Sequence, residues 1–348
     1  MTSKLRNIIA YSVLALALLV VGVKYYLDHR SASREDKYSV LKGEVFHTFY
    51  QIKYDQQADY SALVDSTFRL FSQSLNPFDS TSLIAAINRN QSFQTDSMLR
   101  HVWQASRAIS KASEGSYDVT CSPLINAWGF GFDSSLPITD QIIDSLKQFV
   151  GYQGVRLSGD SLIKSDPRMI FDFSSISKGY CADLLAQVLK GQGVKNYMVE
   201  LGGEIAFRGL NPNGKPWRVG INKPIEDAMG MMQDLQLIVE LDRPEGGLAT
   251  SGNYRNFRIL NGKKVAHTIN PHTGYPIQTD VLSATIIAPS CMMADGLATA
   301  CMTMSSAQIP EFIAQFPDVD YLLILSGQDE NFRTIMSDGF RNLVVEEP

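Results

Sequence analysis

The chain lacks most of the short signatures that would place it at once. No GxGxxG follows a strand-like run, which removes the ordinary dinucleotide-binding fold. No CxxC pair or Cys/His zinc spacing occurs, and neither a repeat period nor a low-complexity tract is present. The nearest approach to a phosphate-binding loop, GLNPNGK at 209–215, fits GxxxxGK. It fails because Pro216 stands where a magnesium-binding Ser or Thr is required. Cysteine is scarce: of Cys121, Cys181, Cys291 and Cys301, the last three sit in apolar, helix-like surroundings. They read as buried free thiols, and no essential disulfide is expected.

What is present is an evenly mixed chain of 348 residues, 45% apolar and 19% charged, which reads as one large or two medium folded domains. The net charge is −5, but the first 43 residues hold seven Lys/Arg against three Asp/Glu, so the rest carries −9. An acidic body argues against a general nucleic-acid binder.

The basic start has its own explanation. Lys4 and Arg6 precede an unbroken apolar run at 8–23 (IIAYSVLALALLVVGV), followed by Lys24, Tyr25 and Tyr26. About 17–20 apolar residues suffice for a membrane-spanning helix, and flanking Lys and Tyr suit its interface. The reading is an uncleaved anchor over 1–27, with the N-terminus cytoplasmic and the remainder on the extracytoplasmic, periplasmic side of the inner membrane. A cleaved signal peptide is the alternative, although no convincing small-x-small site follows. A lipoprotein is excluded, because the first cysteine is Cys121. Residues 28–43 then read as a polar tether, and 44–348 as the globular body.

Within that body, residues 45–54 look like one strand, and helical periodicity marks 62–75, 83–88, 98–113, 139–149, 178–190, 291–304 and 309–316. Short strands and turns are expected over 117–132. Further strands are expected at 169–173, 196–201, 218–221, 235–241, 257–260, 283–288 and 321–326. Mixed elements without a regular βαβ rhythm predict an α+β or irregular α/β fold, two lobes with a site between them.

Several small-residue motifs are candidates for chemistry. DFSSISKGY at 172–180 is a strand end running into a helix start, where free N–H groups can meet an anion. Lys178 can add a point charge or be a solvated helix-start lysine. LGGE at 201–204 asks for unusual backbone dihedrals. ATSGN at 249–253 and HTINPHTG at 267–274 read as neighbouring loops. His267 is the best general-base candidate among five histidines, with a packed loop histidine as the bland reading. Asp295 and Thr299 lie four apart on one helix face, fit for a hard cation or for an ordinary surface pair. The set SISK at 175–178, SGN at 251–253 and HTG at 272–274 mimics penicillin-recognising acyl transferases. Only about 20 residues separate the last two elements, and His replaces the expected Lys, which argues against that reading.

Taken in order, YDVT…PL…WGFG over 117–131, DFSSISKGY, LGGE, ATSG, HxIxPxTG over 267–274 and ADxxxT over 294–299 resemble the ApbE family of FAD:protein FMN transferases. The resemblance runs from about Val45 to the end. It implies a two-lobed, T-fold-like α+β domain that binds FAD with Mg²⁺. It also implies transfer of the FMN half to a Thr or Ser hydroxyl of an acceptor protein, with release of AMP. Such acceptors include subunits of Na⁺-translocating NADH:quinone reductase and related electron-transfer complexes. Carried over by motif, the metal ligands are the Ser175 backbone carbonyl, Asp295 and Thr299, and His267 is the base. Flavin-nucleotide contacts fall on Phe46, Phe78, Ser116, Tyr117, Asp118, Asp172, Lys178 and Ile269. Phe78 stands where the family often has Tyr, Phe46 and His47 replace a common Met-Gly before Thr48, and Asn270 replaces an Asp. Attack by water would instead make the chain an FAD pyrophosphatase, and a non-catalytic flavin binder is the third reading.

Overall fold

A computed structural model describes residues 19–22, 37–131, 138–225, 234–253, 257–260, 263–327 and 332–346, without side chains for 257–260 and 263–266. The expected anchor lies almost wholly outside these residues. Among the described residues no helix is long and apolar enough to cross a membrane. Residues 39–43, expected in a polar tether, instead form most of the first strand, so the ordered body begins upstream of Glu44.

The fold is mixed α/β, built on one eight-stranded antiparallel sheet. In spatial order its strands are Ser39–Val45, Thr48–Tyr54, Tyr197–Leu201, Glu204–Arg208, Glu245–Gly252, Val281–Ala288, Asp320–Ser326 and Phe332–Met336. The period-two alternation of side chains assigns each face its own core. From Glu204–Arg208, Ala206 enters the larger core with the helices, while Ile205 and Phe207 enter a second cluster with Trp217, Leu237 and Val239. The latter three belong to a small sheet made of Trp217–Asn222, Leu235–Leu241 and Val344–Glu346. Both faces of the large sheet are therefore covered. The helices Ser61–Leu75, Ser97–Ala112, Ser177–Gly191 and Cys291–Cys301 share the larger core with it.

Helix positions follow the sequence reading closely, because apolar residues at helical spacing have one way to face a core. The exceptions are local. The run at 45–54 is not one strand: it is broken by a two-residue hairpin turn at Phe46 and His47, with φ of 51° and 58°. Right-handed strand twist favours such a turn, but non-glycine residues there are strained. The expected strand at 169–173 is reduced to a single bridge, Cys121 with Ile170, and the strand-and-turn segment at 117–132 contains the helix Ser122–Ala127. ATSGN is not a loop, since residues 249–252 end the strand Glu245–Gly252. All four cysteines are buried and free, as expected for Cys181, Cys291 and Cys301, and Cys121 joins them.

Candidate active site

Two helices meet at their N-termini. Ser177–Gly191 begins without any side-chain cap of its own. Its third N–H, from Gly179, donates instead to Asp295 Oδ2 at 2.9 Å, a residue of the helix Cys291–Cys301. The service is returned: Asp183 of the first helix accepts from the N–H groups of Cys291 and Met292 at 2.9 and 2.8 Å. Each helix thus satisfies orphan donors at the other's start with a carboxylate, in addition to Ser290, which caps Met293 locally. The crossing must be close for this. A Cβ on Gly179 would collide with the Cys291 carbonyl, so only glycine fits there.

Lys178 stands beside this junction at the positive end of its helix, where a cation is unfavourable unless countered. Glu204 counters it by a direct ion pair. The pair forms because Gly202 and Gly203, with φ of 65° and 101°, make the tight turn into the strand that Glu204 opens. Glu204 is 5% exposed and Asp295 3%. Burial pushes Glu204 up to about 7 despite the nearby ammonium, and it raises Asp295 against the pull of Lys178 and the Gly179 N–H. Burial pulls Lys178 down, but Glu204 and Asp295 outweigh it and hold the ammonium above its ordinary range. Two carboxylates thus face one ammonium, and Glu204 Oε2 is buried without a hydrogen-bond partner.

Thr299, one turn beyond Asp295, donates its hydroxyl to the Ser175 carbonyl at 3.2 Å and lies 3.2 Å from Ser251 Oγ. The Ser175 carbonyl and the Ser251 and Thr299 hydroxyls are therefore brought together one helical turn from Asp295. Among the described residues no group of three or more His, Cys, Asp or Glu side chains could hold a metal ion. The hard-oxygen set and the excess negative charge nevertheless fit Mg²⁺, which takes few carboxylates beside phosphate oxygens.

A second group of expected residues surrounds this floor. Tyr117 OH and Ser175 Oγ are 2.9 Å apart, and the Asp172 N–H donates to the Val119 carbonyl at 2.9 Å, so 172–175 lies along 117–119. Asp118 is tied down by Thr120 and by the Tyr152 N–H at 2.7 Å. Burial raises its pKa, with these hydrogen bonds and the nearby His272 opposing. Asp172 Oδ1 accepts from the Ser174 N–H at 2.9 Å and from its hydroxyl, closing the turn before Lys178. The loop at 267–274 is anchored by Thr268 on Asn253 Oδ1 at 2.9 Å and by Trp128 Nε1 on the Gly274 carbonyl at 2.8 Å. That second bond joins the WGFG motif to the HxIxPxTG motif. Ile269 is buried and His267 half-buried, with the Phe130 ring edge-on at 6.4 Å.

The two expected aromatic contacts part company. Phe46 packs on Phe68 and Phe71, with ring centroids at 5.9 and 5.2 Å, as part of the fold. Phe78 is 69% exposed on the turn before the helix Leu83–Asn88. Sequence reasoning gave no role to Glu204, Ser251 or Asp183. Glu204 and Ser251 lay inside quoted motifs, and the glycine pair before Glu204 was the available signal. Nothing in the linear sequence pairs Asp183 with a helix start more than 100 residues away.

Comparison with known proteins agrees with the geometry. The ApbE family model matches residues 46–323. A protein of Vibrio cholerae serotype O1 named FAD:protein FMN transferase is 34% identical over 312 residues, covering 86% of this chain and 91% of that one. A protein of the same name from Escherichia coli K12 is 30% identical over 351 residues, covering 97% of each. The solved structure of flavin transferase ApbE from Vibrio cholerae superposes with a TM-score of 0.78 at 33% identity, covering 88% of this chain and 99% of that one. On family match, relatives and fold together, the chain belongs to the ApbE family.

Proposed function

We propose that this enzyme transfers the FMN half of FAD to a threonine or serine hydroxyl of an acceptor protein, with Mg²⁺, and releases AMP. In the step proposed, the acceptor oxygen forms a bond to the FMN-side phosphorus, the bond from that phosphorus to the AMP oxygen breaks, and the hydroxyl proton passes to His267. The observation that carries this reading is the junction at Lys178, Asp295 and Thr299, where two helix N-termini, an ammonium and a set of hard oxygens converge. Such a floor suits a pyrophosphate. Lys178 would hold its charge, and the Ser175 carbonyl, Asp295 and Thr299 would hold a metal. Bound Mg²⁺ would neutralise charge on the phosphate oxygens. Tyr117, Asp118, Asp172 and Ile269 would bound the nucleotide, with Phe46 at the edge of the site and Phe78 stacking on the ring system.

We read the apolar run at 8–23 as a membrane anchor that keeps the body on the extracytoplasmic side, supported by the flanking Lys4 and Arg6. Tethering raises the effective concentration of a membrane-bound acceptor, such as a subunit of Na⁺-translocating NADH:quinone reductase. The test is to incubate the protein with FAD, Mg²⁺ and a threonine-containing acceptor, following acceptor mass and AMP together. A gain of one FMN with matching AMP is expected. AMP with free FMN and no labelling would point to a pyrophosphatase instead, and FAD binding without AMP to a binder.

A further inference from the structure

Beside the proposed site runs a groove of about 860 Å³ that neither the floor nor the nucleotide-binding segments use. Arg107 and Lys111, one turn apart on the exposed side of the helix Ser97–Ala112, form one wall. Arg156, on the strand Val155–Ser158, stands on the other wall. The base is apolar and fixed, with Trp103 and Val155 buried. Gln104 and Gln153 complete the polar lining, and among the described residues no carboxylate contributes to it.

Two features make this groove unlike an ordinary solvated face. First, none of Arg107, Lys111 and Arg156 appears in the ion pairs of the described residues, although the rest of the chain after residue 43 carries −9. The local carboxylate that might have answered them, Asp160 at the tip of the same hairpin, is taken by Arg100 at 2.9 Å. Like charges gathered without counterions in an acidic protein repel one another, and an anionic partner relieves that cost. Second, the groove opens beside the nucleotide-binding segment. Tyr152 lines it, donates its N–H to Asp118 Oδ2 at 2.7 Å, and its ring lies 3.7 Å from where a Cβ on Gly115 would stand. A chain lying in the groove therefore reaches the segment 115–118 directly.

We infer that the groove lined by Arg107, Lys111 and Arg156 is the docking surface for an acidic segment of the acceptor protein, next to the hydroxyl that is modified. The inference rests on the transferase reading above for the identity of its partner. The long, open, mixed lining suits a peptide: side-chain carboxylates on the three cations, and the backbone over Ala108 and Leu157. Charge complementarity here sets acceptor preference and encounter rate, not chemistry.

The test uses the full-length protein and two labelled synthetic peptides, one with a central threonine flanked by aspartates and one with asparagines in their place. Binding is measured by fluorescence anisotropy at low and high salt. FAD binding is measured in parallel. The acidic peptide should bind more tightly than its asparagine counterpart, by about tenfold or more at low salt, and lose most of that advantage at high salt. Arg107→Glu with Lys111→Glu should abolish the preference and leave FAD affinity unchanged, while Lys195→Glu, an exposed lysine elsewhere, should change neither. Equal binding of the two peptides, or a preference that survives the double charge reversal, overturns the docking surface. Weakened FAD binding in the double variant also overturns it, by giving the groove to the nucleotide's own phosphates. Peptide binding does not depend on turnover. An intact preference in a protein that never releases AMP would sink the transferase reading and leave the acidic-segment site standing.

Discussion

The floor and the rim of the site are built by opposite means. At the floor, Asp295 and Glu204 are buried and Asp183 is half-buried; Asp295 holds the Gly179 N–H, Asp183 the Cys291 and Met292 N–H groups, and Glu204 the Lys178 ammonium, and Asp295 is both a helix cap and an expected metal ligand. At the rim, Phe78 is open to solvent and His267 is half-buried on a loop. The floor is preorganised for charge because burying polar groups without partners is costly, and most of its buried groups are paired, Glu204 Oε2 excepted. The rim carries little of the fold, so it is free to be shaped around a ligand. Substitutions at the floor should therefore cost both stability and activity, and those at the rim activity alone.

The largest effect should come from Asp295→Ala. It removes a carboxylate of the floor and the acceptor for Gly179, so transfer should fall by about a thousandfold and the melting temperature should drop with it. Unchanged activity at limiting Mg²⁺ would take Asp295 out of the proposed metal site. His267→Ala should lower transfer by roughly a hundredfold or more with FAD binding and melting temperature retained, as expected of a rim residue. Near-normal turnover would leave the base elsewhere.

Lys178→Ala leaves Glu204 buried without its partner and should cost about 3 kcal/mol of stability by denaturant titration. Adding Glu204→Gln should recover most of that loss without recovering transfer. If the double variant is as unstable as the single one, the ion pair is not what balances the floor. The aromatic pair offers a direct contrast. Phe78→Ala should weaken FAD binding by about tenfold with no change in melting temperature, whereas Phe46→Ala should lower the melting temperature through lost packing on Phe68 and Phe71.

The smallest effect concerns pH. Burial pushes Asp183 up to about 6, against the N–H bonds from Met292 and Cys291. A carboxyl whose pKa is raised by folding binds more protons in the folded state between its unfolded value and about 6. Stability from this group is therefore full below about pH 4 and is lost as pH rises to 6. In a comparison of melting temperatures across that window, Asp183→Asn should fall less steeply than the parent protein. Parallel profiles would mean that Asp183 keeps an ordinary pKa.

Much of this architecture was legible before the structure. The helices at 61–75, 97–112 and 177–191 show as apolar periodicity, because a helix buries one stripe whatever it packs against. The motif residues 172–180, 201–204 and 294–299 were identifiable as a set. The hairpin at Phe46 and His47 was not, since neither residue is a usual left-handed turn former and the strand twist on either side imposes the conformation. Residues 169–173 read as a strand because they are mostly apolar; Met169, Phe171 and Phe173 do alternate into the larger core, but pairing stops at one bridge, Cys121 with Ile170.

By itself, then, the chain determined its residue types and local periods: where most of the helices would lie, that no essential disulfide was expected, that a Lys, an Asp and a Thr sat in motifs of the family, and that a glycine pair asking for unusual dihedrals would precede Glu204. Only the tertiary structure decided that Asp183 and Asp295 would each cap the other's helix, that Glu204 would answer Lys178, and that Phe46 and Phe78 would take different parts. Those outcomes depend on residues far apart in sequence meeting within hydrogen-bond distance, and burial sets the energy of each meeting.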